Sequence, residues 1–278
     1  MPSRPPLILL PPSEGKAGGG TGPPWVAGSM SSPELDVRRA RVMAALVTAM
    51  RASKAARAKL LGVKGEALAA ATETNRLVAH GPTLPAVERY TGVLAQALDY
   101  ASLPAAQQRR VDRQVRIFSG LWGVAAPTDP VPDYKLKMGA SLGRLGKLST
   151  WWRPAVTAAL APALAGRTVW DLLANEHRAA WDPDLTGGPD APRVVISVRF
   201  AEEVRRGGGT GGHRELVTVA HWNKLLKGAL VRHVVATQLA DVDGLAGFVH
   251  PLGYAYDAEL TEASDDGLRV TATLVKRD

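Results

Sequence analysis

Apolar residues along the chain fall into short blocks with two different periods. Leu7-Ile8-Leu9-Leu10 is an unbroken apolar run stopped by Pro11-Pro12, the pattern of a short buried strand. Residues 11–33 are rich in Gly, Pro and Ser and predict a long loop, anchored by the strand at its start and expected to be mobile in its second half. Behind the helix-start signal Ser31-Ser32-Pro33-Glu34, the residues Val37, Val42, Leu46 and Met50 recur at helical spacing over 34–52. Further helices are predicted over roughly 54–61, 67–72 and 86–99, while 108–118 fits a helix or a strand. Three prolines keep Ala125 to Pro132 extended, and Trp151-Trp152-Arg153-Pro154 opens a helix with proline near its first turn. Thr168 to Leu173 and Arg193 to Phe200 are strand-prone, and Leu216-Val217-Thr218-Val219 is expected to pair with the second across a Gly207–Gly212 turn. A long helix is predicted from His221 to Leu239, then strands over Phe248 to Tyr256 and Leu268 to Val275. No repeat or linker interrupts this mixture. The expectation is therefore one α+β domain over residues 1–278, a mixed central sheet flanked by helices.

Composition narrows the chemistry. The chain has no cysteine, which excludes disulfides, thiolate zinc sites and cysteine nucleophiles. Four apolar residues near the amino terminus are too few for a signal-peptide core or a membrane span, so a cytoplasmic location and no membrane partner are expected. The formal net charge of +8 favours anionic partners through charge attraction and counterion release. Arg-rich coding bias would raise the charge in the same way without any such partner.

Five stretches could carry function. Pro11-Pro12-Ser13-Glu14-Gly15-Lys16 follows a strand, where phosphate sites often form, but Leu10 and Ala17 replace the Gly and Ser/Thr that a nucleotide-hydrolysing phosphate loop requires. What is left is either a Lys16 and Glu14 fixed at the mouth of a site, or an exposed loop with ordinary charges. Leu61-Gly62-Val63-Lys64-Gly65 joins two predicted helices and resembles a helix-hairpin-helix at about 54–72, a module in which glycines let the backbone approach a DNA phosphate and Lys64 adds charge. Arg57 and Lys59 make the preceding helix basic; a plain helical turn with a glycine cap reads equally well. In Asp133-Tyr134-Lys135-Leu136-Lys137-Met138-Gly139, Lys135 and Lys137 share a face if the segment is extended, ready for phosphate or for solvent. Together with Ser119-Gly120-Leu121-Trp122-Gly123, its small and aromatic residues suggest close backbone packing beside a concave surface. Asn175-Glu176-His177 ends a strand-prone run, where polar residues often line a site. Lys224, Lys227 and Arg232 form a basic stripe on the long helix, with Gly228 hinting at a close helix contact. The six histidines show no metal-binding spacing, and no Gly-x-Ser-x-Gly elbow exists, so no metal or cofactor is assigned.

Taken in order, these segments resemble the peroxide-stress YaaA family (DUF328, UPF0246) over nearly the whole chain. The opening strand with its Pro-Ser loop and Lys16 is similar to the family's start. Ser119-Gly120-Leu121-Trp122-Gly123-Val124 resembles its Ser-Gly-Leu-Tyr-Gly-Val, and Tyr134 to Gly139 resembles Tyr-Arg-Leu-Glu-Met-Gly. Asn175-Glu176-His177 stands for Asn-Glu-Tyr, Lys227-Gly228 for Arg-Gly, and Gly253-Tyr254 for a closing Gly-Tyr. The resemblance implies a single body of YaaA-type fold with an inserted helix-hairpin-helix, and a cytoplasmic role in the peroxide response that limits free iron and protects DNA. It implies DNA, double-stranded or irregular, as partner, bound largely without sequence specificity; the oligomeric state stays open, a monomer being favoured. Nucleic-acid contacts are expected from Arg57, Lys59, Gly62, Lys64, Gly65, Lys135, Lys224, Lys227 and Arg232. Lys137 in place of an acid and His177 in place of a tyrosine depart from the family pattern. The alternative is an enzyme in which Lys16, Glu14, Tyr134, Asn175 and Glu176 converge in one pocket, where a lysine beside a carboxylate suits Schiff-base or acid–base work on a nucleobase or a small metabolite. Convergence with a Lys16 amine made less basic by burial would favour that alternative.

Overall fold

A computed structural model describes residues 4–186, 188, 191–206, 213–218, 223–250 and 252–277. The expected Gly207–Gly212 turn, Val219 and His221 lie outside these residues. In chain order the elements are β1 (Leu7–Leu10), α1 (Asp36–Ala49), α2 (Lys54–Leu61), α3 (Gly65–Arg76), β2 (Thr83–Pro85), α4 (Ala86–Arg89), α5 (Val93–Leu98) and α6 (Ala105–Gln114). Then come β3 (Val115–Ser119), β4 (Gly123–Ala125), β5 (Pro130–Pro132), α7 (Leu148–Leu164), β6 (Thr168–Asp171), α8 (Asn175–Arg178), β7 (Val194–Arg206), β8 (His213–Thr218), α9 (Asn223–Thr237), β9 (Tyr254–Ala263) and β10 (Arg269–Lys276).

Among the described residues, eight strands form one mixed sheet in the order β4-β3-β1-β6-β7-β10-β9, with β8 paired to the distal half of β7. The strands β3, β1, β6, β7 and β10 run parallel, and β4, β8 and β9 are antiparallel additions. Central parallel strands are covered on both faces and so read as continuous apolar runs. Leu7, Ile8 and Leu9 fit this rule, being wholly buried, with Ile8 between its register partners Val115 and Trp170. The α+β body with a mixed sheet flanked by helices is therefore present as expected. Its functional consequence is directional: β1, β3 and β6 all end at one edge, where the loops after them can meet.

Several boundaries differ from expectation, each for an identifiable reason. The single helix expected over 86–99 breaks at Tyr90, whose ψ of 112° is extended, because the Tyr90 backbone pairs with Lys16. The ambiguous 108–118 stretch divides into the end of α6 and most of β3. The strand expected over 248–256 starts instead at Tyr254 and runs to Ala263, with Val249 making only one bridge to Ala255. The second half of the 11–33 loop, expected to be mobile, is tied down. Thr83 Oγ1 donates to Pro23 O at 2.9 Å, Gly28 N to the Asp36 carboxylate at 2.7 Å, and Ser31 N and Oγ to the Asp129 carboxylate at 2.7 and 2.5 Å; at the middle of the loop Gly22 bridges to Thr83.

The hinted helix contact at Gly228 is real. A β-carbon there would collide with the Leu94 carbonyl oxygen and lie 2.6 Å from the Ala97 Cβ, so α9 crosses α5 with nothing but hydrogen between the backbones. A Gly228→Ala change must push the helices apart. It is expected to cost about 1–3 kcal/mol, the usual penalty for overpacking a tight interior contact, measurable as a lowered urea midpoint.

Candidate functional site

The site is built where the strands end. Immediately after β1, Pro11-Pro12 ends the strand and turns the chain, and backbone hydrogen bonds fix residues 15–17: Ala17 N donates to Arg89 O at 2.9 Å and Thr91 N to Gly15 O at 3.1 Å. The Ser13 hydroxyl accepts from Gly92 N at 2.5 Å. This short ladder aims the Lys16 side chain inward, with Nζ 4.4 Å from the Tyr134 ring centre and 5.6 Å from that of Tyr90. Its nearest hydrogen-bond acceptor is the Ser13 carbonyl, at a long 3.5 Å. Beneath it, the Tyr134 hydroxyl joins Ser119 Oγ at 2.6 Å and the Tyr90 hydroxyl at 2.8 Å, a buried chain of three hydroxyls.

A cleft of about 750 Å³ opens in front of Lys16. The 11–16 loop forms one wall, 134–137 a second, and the 173–178 segment after β6 a third; the middle of β7 and the start of α9 close it. Lys16, Glu14, Tyr134, Asn175 and Glu176, the residues whose convergence was in question, all line it. Lys135, Lys137, Lys224 and Lys227 line it as well. The extended course of 133–137 puts Tyr134 and Leu136 inward, and the alternation leaves Lys135 and Lys137 toward the opening. The neighbouring glycines permit this packing: a β-carbon on Gly120 would meet the Lys137 backbone at 2.8 Å.

Charge in the cleft is mostly positive and partly dehydrated. Burial, the largest influence, lowers the Lys16 amine to about 8; Lys135 and Arg89 push the same way, while Asp133 and Glu14 oppose. Burial likewise lowers Lys227 to about 8, helped by Arg178 and opposed by Asp171. Glu14 is held below its ordinary range, chiefly by Lys224, whose Nζ lies 3.5 Å away. His177 is buried and shifted well below the usual imidazole range, first by burial, so the neutral ring prevails. Its Nδ1 has no hydrogen-bond partner among the described residues.

The linkage at Lys227 has a definite sign. Its folded-state value lies below its unfolded one, so the unfolded chain holds more protons between about pH 8 and pH 10.5. The contribution of Lys227 to stability should therefore rise with pH across that window. Lys227→Met, which removes a buried charge, is expected to stabilise the fold by about 1–3 kcal/mol at pH 7 and to flatten that rise, as read from urea denaturation at several pH values.

The remaining basic residues divide. α2 ends at Gly62, whose φ of 66° closes the helix in a left-handed cap, and α3 begins at Gly65, leaving Lys64 and Gly65 exposed at the tip between them. This tip is not remote from the cleft. Lys137 Nζ comes within 3.5 Å of where a side chain on Gly62 would begin. The Asn75 amide of α3 clamps the Lys135 backbone from both sides, at 2.8 and 2.9 Å. Lys59 is exposed on α2, with Arg57 half-buried beside it. Arg232 belongs elsewhere: it donates to the carbonyls of Leu98 and Asp99 and to the Ser102 hydroxyl, fastening α9 to the end of α5. Sequence reasoning passed over Arg178 and Arg199, which also line the cleft. Arg199 was legible as a polar position two residues from Ser197 on an otherwise apolar strand.

Comparison with known proteins agrees with the resemblance in the motifs. A family model described as peroxide stress protein YaaA matches residues 7–260. A UPF0246 protein of Streptomyces coelicolor is 38% identical over 256 residues, 91% of this chain and 92% of its own length. A UPF0246 protein of Corynebacterium glutamicum is 35% identical over 230 residues, 81% of this chain and 83% of its own. One of Corynebacterium efficiens is 34% identical over 276 residues, 97% and 99%.

Proposed function

The chain belongs to the peroxide stress protein YaaA family, and on that premise we propose that it acts in the peroxide response by binding DNA, duplex or irregular, largely without regard to sequence. Continuity carries this reading. The exposed Lys64-Gly65 tip between α2 and α3 adjoins, through Lys137 and the Asn75 clamp, a cleft bearing four further lysines. The α2–α3 pair reads as a helix-hairpin-helix, in which exposed amides at the start of α3 and Lys64 take a backbone phosphate while the cleft lysines follow the strand. Such contacts meet phosphates rather than base edges, hence the lack of sequence preference. The part of the reading that concerns iron-dependent damage rests on the family alone.

Fluorescence anisotropy with duplex and bubble DNA tests this. Lys64→Ala combined with Gly65→Ala should weaken binding about tenfold and lower the salt slope by about one unit, the loss of one phosphate contact. Lys64→Ala alone, which leaves the tip backbone intact, should give the slope change with a smaller loss. Affinity indifferent to both variants would remove the hairpin from the interface.

A further inference from the structure

Lys16 is poorly explained as a phosphate contact. It lines the cleft together with Lys135, Lys137, Lys224 and Lys227, half-buried, with its Nζ against two tyrosine rings and, among the described residues, the Ser13 carbonyl at 3.5 Å as its acceptor. Among the described residues it makes no ion pair within 4.0 Å, unlike Lys224 with Glu14. A lysine in that position, partly withdrawn from water and without an ion pair, with other cations along the same cleft, is arranged as a nucleophile that receives a ligand whose anionic part those cations hold.

We propose that Lys16 forms an imine with the aldehyde of a phosphate-bearing sugar, the phosphate being held by Lys135, Lys137 and Lys224 at the opening of the cleft. The version that rests on DNA binding is the ring-opened deoxyribose of an abasic site in a duplex; a free sugar phosphate presents the same chemistry. In the step itself, the Nζ lone pair attacks the carbonyl carbon and the C=O π pair moves to oxygen. That oxygen takes up a proton as the nitrogen sheds one. The carbinolamine hydroxyl then accepts a second proton and leaves as water, while the nitrogen lone pair forms the C=N bond. No oxidant or metal is consumed. The cleft's volume of about 750 Å³ accommodates a sugar phosphate, and its lining includes the carboxylates of Glu14 and Glu176 as proton carriers.

The amine must be unprotonated to attack. The charged and titratable groups bearing on it are Asp133, Lys135, Arg89 and Glu14, with Tyr90 and Tyr134 against it; burial outweighs them and brings it to about 8. The rate of imine formation should therefore rise roughly tenfold between pH 7 and pH 9.

The experiment is reductive trapping of the full chain with sodium cyanoborohydride, using an abasic-site duplex in one arm and 2-deoxyribose 5-phosphate in the other, read by intact-protein and peptide mass. Duplex affinity is measured on the same samples. A covalent adduct mapped to Lys16 in the duplex arm, absent from Lys16→Met and from the charge-retaining Lys16→Arg, is the expected result. An adduct at Lys16 with the free sugar phosphate alone sustains the imine site and assigns its substrate to a small molecule; lost duplex binding in those samples counts against the DNA reading only. Folded Lys16→Arg protein that still traps to the wild-type extent, or wild type that binds duplex but traps in neither arm, overturns the proposal.

Discussion

Arg89→Met is expected to cost the fold about 3–5 kcal/mol, because it leaves several buried carbonyls without a donor at roughly 1–3 kcal/mol each. Arg89 is wholly buried, and its guanidinium spans four separate carbonyls. Nε donates to Val131 O at 3.0 Å, Nη2 to Gly19 O at 2.7 Å and Pro82 O at 3.3 Å, and Nη1 to Ala17 O. Methionine fills much of the space but donates to none of these carbonyls, and each buried acceptor left without a partner adds its own desolvation cost. The damage should not stop at stability. The 11–22 loop, glycine-rich past Lys16 and costly to order, is fixed on its far side by this side chain together with the backbone bridge between Gly22 and Thr83. Urea denaturation gives the first effect. Faster hydrogen exchange of the Ala17 amide, which donates to Arg89 O, gives the second. A variant as stable as wild type would mean that those carbonyls find other partners easily.

The largest effect on binding is expected from clearing the cleft rim. Of the lysines on the rim, Lys137 and Lys224 are exposed and Lys135 is half-buried. Changing all three to alanine removes up to three phosphate contacts. At about 0.9 per contact, the log–log salt slope should fall by about 2–3, and affinity at moderate salt should drop on the order of 100-fold. The fold should hold, since none of the three is fully buried and Lys224 has only an exposed pairing with Glu14, of a kind worth little to stability. Unchanged affinity in this triple variant would confine DNA to the hairpin, and an unchanged slope with lower affinity would point to lost shape rather than lost charge.

Much of this site could be read in the sequence because chain order and sheet order cooperate. Lys16 and Asn175-Glu176 both follow apolar runs, and two parallel neighbours, β1 and β6, end at the same edge, so their loops meet. The period-two reading of 133–137 was enough to place Lys135 and Lys137 together. Other parts were hidden. The break at Tyr90 interrupts a good helical pattern for a tertiary reason, backbone pairing with Lys16, which no local propensity encodes. Lys227 has the composition of a surface residue and is buried all the same. Arg232 was misplaced by geometry: five residues along an α-helix turn through about 140° beyond a full circle, which carries it off the face that Lys227 shares with Lys224. The buried hub at Arg89 left no trace, because a single arginine in a short helix resembles any solvated one.

The most direct test of DNA binding through this surface is the equilibrium affinity of the wild-type chain for a fluorescent duplex of random sequence, measured across a salt series. Contact at the hairpin and along the cleft predicts binding that persists at about 0.1 M salt, with a log–log slope of about −3 to −5 from four or five phosphate contacts, and little change when the sequence is altered. Absent binding at that salt, or a slope near zero, would contradict it and leave the +8 charge as a feature of composition alone.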